Sequence, residues 1–204
     1  MTITVSSILS RAATLLLDET GVRWPSTELL LWAQDGLYEM ALLKPTLFTE
    51  LRALSLVAGT VQSLPDGVRH IHRIISNTNG PVVRIIDRRL LDSQQPNWPA
   101  AVANTTVKYV MTEDFDEKHF YCSPPNTGTG SIQTICTVEP AQIAADSVIA
   151  IDAPYANPIL SYVLYRAFQK DADTSDEAKA QSYYETFTRQ MSGSVLGDGQ
   201  TKEA

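Results

Sequence analysis

Residues 24–57, "WPSTELLLWAQDGLYEMALLKPTLFTELRALSLV", change character partway along. Up to Lys44 the apolar residues keep a helical spacing: Leu30, Ala33, Leu37 and Ala41 share one face, widened by Leu29, Trp32 and Met40. Ser26 suits the start of that helix, Glu28 favours its positive end, and Lys44 followed by Pro45 suits its other end. Beyond Pro45 come short runs rich in Val, Ile, Thr and Tyr, separated by Gly, Pro and Asn, of which "ELRALSLV" is the first. Helix gives way to strand near Thr49.

Upstream, Ile8, Ala12, Leu15 and Leu16 make the stripe of a first helix, with Gly21 as its C-terminal cap. Downstream, "TVQSLP", "VRHIHRIIS", "PVVRIID", "TTVKYVMT", "KHFYCS" and "SIQTICTVE" continue the strand pattern to about Glu139, and "RRLLDSQQPNWP" interrupts it as a short helix leading into a Pro-bounded loop. Asn157 and Pro158 open a third helix, carrying Leu160, Val163, Leu164, Ala167 and Phe168 on its buried face. Ser175, Asp176 and Glu177 open a fourth, with Ala180, Tyr184, Phe187 and Met191 at helical spacing up to Gly193.

A helix with one apolar side does not stay folded alone in water, so the terminal helix pairs are expected to cover one another. The fold class is α+β: a four-helix bundle from residues 1–48 and 153–192, with an inserted, mainly antiparallel β-sheet region over 49–140. Residues 141–152 connect the two, and 193–204 read as a flexible tail whose apolar anchors are Val195 and Leu196.

Composition narrows the function. The 204 residues are 44% hydrophobic, enough for one sizeable core and room for two lobes. Sixteen Lys and Arg against 23 Asp and Glu leave a formal −7, a poor balance for gripping DNA or an anionic membrane, although such a chain can line a passage for DNA. The N-terminal apolar residues are interrupted by Arg11 and Asp18, unlike a signal peptide or a membrane span, so a protein made and kept in a cytosol is expected.

His70 and His72, two apart in a β-branched run, raise the question of a metal site. Zinc needs three or four ligands, and His119, beside Lys118, is the only other histidine, so a structural pair on a half-exposed strand is the better reading. Cys122 and Cys136, 14 apart, form no metal-ligand motif and read as buried, reduced thiols flanking the turn "SPPNTGTG". Asp114 and Asp116 in "TEDFDEKH" belong to a solvated turn. Trp24, Trp32, Trp98 and the tyrosines Tyr38, Tyr162, Tyr165, Tyr183 and Tyr184 stand at core spacing without interleaved basic residues, so they pack rather than stack on nucleic acid. Nucleophile elbow, phosphate loop and H-E-x-x-H motifs are all missing, and neither catalysis nor a cofactor is expected.

The order of the pieces resembles the head-to-tail adaptor (connector) proteins of tailed bacteriophages, and more narrowly the tail tubular protein A type. The resemblance rests on a Trp-bearing helix ending in Lys-Pro (Trp32, Lys44, Pro45), a G-x-x-Q-x-L-P turn (Gly59, Gln62, Leu64, Pro65) and a Leu-Asp…Pro-x-Trp segment (Leu91, Asp92, Pro96, Trp98), over roughly residues 22 to 170. It implies a structural virion protein at the head–tail junction, made in the host cytoplasm. Such a protein binds the portal above and the tail tube or nozzle below, forming a ring of roughly twelve copies through heterologous contacts. DNA would pass through without specific binding and no membrane would be involved. Val195 and Leu196 are the candidate portal-docking residues. Two alternative readings stand beside it: a neck or tail-completion protein of a long-tailed phage, and a small metal-dependent enzyme using His70, His72 and His119.

Overall fold

The computed structural model describes residues 3–113, 115–170 and 176–199, with side chains up to 193. In chain order the elements are β1 (Ile3–Thr4), α1 (Val5–Leu15), α2 (Ser26–Leu43), β2 (Thr49–Ser55), β3 (Ala58–Ser63), β4 (Val68–Asn77), β5 (Arg84–Ile85), α3 (Arg88–Gln94), β6 (Tyr109–Glu113), β7 (Asp116–Thr127), β8 (Ser131–Val138), β9 (Val148–Ile149), α4 (Ala156–Lys170) and α5 (Glu177–Gly199). The architecture is α+β, with five helices among the described residues. The chain divides into a unit built from its two ends, through Leu47 and again from Pro140, and a second unit, Phe48–Glu139.

In the first unit α4 packs against α5, α2 and α1, and α1 against α2. Aromatic rings fill the α4–α5 seam: Tyr162 meets Phe187 edge-on at 5.3 Å, and Phe168 stacks on Tyr183 at 5.5 Å. Phe187 is fully buried, a burial that contributes about 2–3 kcal/mol. Gly36 lets α2 approach α4 closely, since a Cβ there would stand 3.1 Å from the Tyr162 ring. β1 and β9 form an antiparallel ribbon, Ile3 opposite Ile149, in a stretch that sequence periodicity assigns to no strand.

Several details differ from expectation. The buried face of α2 centres on Leu29, Ala33, Leu37 and Met40, and Leu30 is only half-buried. Ser26 makes no cap, because Pro25 occupies that position. α1 ends at Leu15, Leu15 itself is exposed, and the first left-handed residue beyond the helix is Leu17 (φ 55°); Gly21 is left-handed too (φ 67°) but lies further along the connection and does not cap the helix. Asp18 stabilises this turn: its carboxylate accepts from the amides of Val22, Arg23 and Trp24 at 2.8–2.9 Å. The Trp24 amide is the largest influence, and together these bonds outweigh desolvation and hold the Asp18 carboxyl below its ordinary value. α5 does not stop at Gly193 but continues to Gly199, so 193–199, expected as flexible tail, carry helical backbone. A glycine costs about 1 kcal/mol in a helix interior, too little to end a helix already nucleated. Residues 200–204 lie outside the described residues.

The second unit holds two sheets, ordered β2-β8-β4 and β3-β7-β6-β5, antiparallel except for the β5–β6 pair. Leu54, Ile74, Ile132 and Cys136 of the first sheet share one core with Val110, Phe120 and Cys122 of the second. The cysteines are free and buried, and burial, the largest influence, pushes the Cys122 thiol up. "SPPNTGTG" is less of a turn than expected, because β7 runs on through Thr127.

Two buried asparagines fasten the connections. Asn77 donates to the carbonyls of Pro81 and Val107 and accepts from the Val107 amide. Asn126 donates to the carbonyls of Asn104 and Thr105 and accepts from the amides of Gly128 and Gly130. Gly130 fits so closely that a Cβ would clash with both Asn126 Nδ2 and the Thr105 carbonyl. Asn126→Ala leaves several buried backbone groups without partners, so it should lower unfolding free energy by about 3 kcal/mol in urea titrations. A loss under about 1 kcal/mol would show that solvent replaces those bonds.

Candidate functional site

The residues that carry the adaptor resemblance fall in three separate places in the structure. Gln62 is 2% exposed and works as a clamp: Oε1 accepts from the Val57 amide at 2.7 Å, and Nε2 donates to the carbonyls of Val57 and Gly59. It thereby holds the link between β2 and β3, which belong to different sheets; Gly59 takes φ +107° there, beside a break in the β3–β7 register. Leu64 donates its amide to Lys118, and Pro65 accepts from Val68, closing the turn into β4. His70 and His72 lie on β4, which pairs with β8.

Leu91, Trp98 and Met111 form a second small core, and Trp98 Nε1 donates to Asp92 Oδ1 at 2.7 Å. Pro96 is exposed in the loop between them. In the helical unit Trp32 is buried, Pro45 is exposed, and Lys44 Nζ donates to the Tyr155 hydroxyl at 2.9 Å. The motif residues therefore do not converge on one site. Gln62, the Asp92–Trp98 pair and Lys44 each make a contact at a different connection. The side chains of Val195 and Leu196 lie outside the described residues.

The three histidines do come together, which the sequence left open because the partner of the His119 strand was unknown. His70, His72 and His119 line one cavity of about 270 Å³ with Glu113, Asp116 and Glu117. The His70 and His72 rings meet edge-on at 4.9 Å. Each of two rings is engaged elsewhere: His72 Nε2 lies 2.6 Å from Thr137 Oγ1, and His119 Nδ1 lies 3.0 Å from Asp116 Oδ2. Among the described residues no group of three or more His, Cys, Asp or Glu is arranged to hold a metal ion. Desolvation raises the Asp116 carboxyl, but the His119 ring and the amides of Lys118 and His119 outweigh it, leaving Asp116 below its ordinary value.

What the surface offers instead is uncovered apolar area. Leu31 and Leu42 are 65% and 62% exposed on the outer side of α2, and Leu17 and Val22 stand out from the Asp18 turn at 92% and 84%. On the β unit Leu51, Val57 and Val82 are exposed, and Phe115 is 88% exposed between β6 and β7. Such area suits contact with other proteins. No helix among the described residues is long and apolar enough to cross a membrane.

His72 gives the β unit a pH dependence. Burial, then the charge of His70, holds its imidazole below the ordinary 6.5. The unfolded chain therefore takes up this proton first as pH falls, so the stabilisation is complete above pH 6.5 and is lost as pH drops through the folded value. His72→Gln should flatten that part of a stability–pH curve; an unchanged slope would assign it to another group.

No curated protein matches the chain. The family model described as SU10 adaptor protein matches residues 3–203, nearly the whole sequence. That is a family of structural phage proteins rather than enzymes, and its members are virion components. A chain whose distinctive residues sit at connections between elements, and whose surface leaves apolar side chains uncovered, belongs to the SU10 adaptor protein family.

Proposed function

We propose that this adaptor joins the portal vertex of a phage head to its tail, as a ring of copies through which DNA passes without specific binding. The observation that carries the reading is the family match over residues 3–203. The uncovered side chains of α2 and the Asp18 turn support it, because a protein that works by assembly keeps apolar area for its partners. The partners are the portal protein, the tail tube or nozzle protein, and neighbouring copies.

In this reading the helices around α4 act as one four-helix bundle, a stiff body for docking, while the β unit supplies a second body with its own core. A closed ring of identical subunits needs a contact in which one face meets a different face of the next copy. The formal −7 of the chain suits a conduit, since a surface poor in clustered positive charge leaves a polyanion mobile. Val195 and Leu196 near the end of α5 are the proposed anchors on the portal.

Light scattering of the protein alone and with the purified portal protein of the same phage tests the reading. The expected outcome is a large complex of ring size once portal is added; an unchanged monomer or dimer in both samples would overturn it. A chain truncated after Gly193 should lose portal binding, and full binding by that variant would remove Val195 and Leu196 from the interface.

A further inference from the structure

β2 stands at one end of the sheet order β2-β8-β4, and among the described residues it pairs with β8 alone. Thr49, Glu50, Leu51, Ala53 and Ser55 along it are exposed. An edge strand of this kind invites pairing with another chain, and folded proteins blunt such edges with bulges, proline, lysine or shortness. The other end strands of the two larger sheets carry such devices: register shifts interrupt β4 and β3, and β5 has two residues. β2 has none of them. Its seven residues, "TELRALS", pair with β8 from Thr49–Thr137 to Ser55–Ser131 without a break, and they include neither proline nor lysine.

The phase of the ladder tells which backbone groups face outward. Leu56 donates its amide to the Gly130 carbonyl at 2.9 Å, in the same register as the strand pairs before it. Only alternate residues of an antiparallel strand bond to a given neighbour. Glu50, Arg52 and Leu54 therefore turn their amides and carbonyls toward β8, and Thr49, Leu51, Ala53 and Ser55 turn theirs away from it. The β8 side chains agree with this phase: Thr134 Oγ1 donates to the Arg52 carbonyl at 3.0 Å, and Cys136 Sγ lies 3.9 Å from the Glu50 carbonyl. Leu51, 66% exposed, sits between Glu50 and Arg52, whose side chains are half-exposed and 3.8 Å apart.

A strand with this pattern is complementary to itself. Antiparallel pairing of two copies about Leu51 matches outward groups with outward groups, with Leu51 opposite Leu51 and Thr49 opposite Ala53. It also sets Glu50 of each copy across from Arg52 of the other, at the closer spacing of a pair without hydrogen bonds. Centring on residue 50 or 52 instead sets like charges opposite, and centring on 53 faces each charge with a leucine. We infer that two free copies associate through β2 about Leu51, forming one continuous sheet in the order β4-β8-β2-β2-β8-β4. Both copies use the same patch, so the contact has no place between neighbours in a single ring, where unlike faces meet. It goes beyond the ring reading and does not depend on it: the pair is a form of the protein before assembly, in which the open edge is covered against mispairing.

Sedimentation equilibrium of the full chain tests the contact. The expected result is a monomer–dimer equilibrium in which Glu50→Arg or Arg52→Glu alone weakens association by about tenfold or more. The double variant should restore it, and so should an equimolar mixture of the two single variants, because every charge across the strands then meets its opposite. Ala53→Pro removes an amide that β2 does not offer to β8 and should leave a folded monomer; should that variant not fold, the charge reversals decide. A chain that stays monomeric at raised concentration, a dimer indifferent to both reversals, or single variants that neither the double change nor mixing rescues would overturn the contact. The ring reading stands or falls separately, on whether added portal protein yields a large complex.

Discussion

Three buried amide side chains, those of Gln62, Asn77 and Asn126, supply the hydrogen-bond partners that the strand ladders of the β unit cannot. Where two short sheets share one core, the chain must leave one sheet and enter the other, and each crossing strands backbone groups inside the protein. An unpaired buried amide or carbonyl costs roughly 1–3 kcal/mol, so a few such crossings could cancel much of the stability of a small domain. A carboxamide answers this well because it both donates and accepts. Gln62 does so between β2 and β3, Asn77 between the end of β4 and the segment before β6, and Asn126 at the β7–β8 connection.

Much of this fold was legible in the sequence. The helical spacing of residues 26–43 and 156–170 and the β-branched runs from Thr49 onward identify their elements, because burial of one face imposes a period on the residues. What periodicity could not show is how strands are distributed between sheets, since every strand with one buried face looks alike. β1 and β9, two residues each, are too short to have a period. Likewise, the α1 turn uses Leu17 in a conformation that sequence statistics reserve for glycine, and a lone leucine carries no sign of it.

The candidate site divides in the same way. Gly59, Gln62, Leu91, Asp92 and Trp98 stand out by order and spacing, and in the structure they sit at connections between elements. The gathering of His70, His72 and His119 was not legible, because it depends on β4 lying near the start of β7. Asn77 and Asn126 carried no signal either: a buried asparagine and a loop asparagine read the same in one sequence. Phe115 was visible only as an aromatic residue in an acidic turn, and its exposure emerges once both sides of the hairpin are paired.

The antiparallel ribbon of Ile3–Thr4 with Val148–Ile149 fixes an order of events during synthesis. The first helix emerges from the ribosome early, yet its strand neighbour and its partner α4 lie beyond the whole β unit. Residues 48–139 have all their own partners available as soon as Glu139 has left the exit tunnel. The inserted unit is therefore positioned to fold first, while the N-terminal helices wait for α4 with their apolar faces only partly covered by one another. In an infected cell this waiting interval, rather than the finished subunit, is where a chaperone has the most to protect.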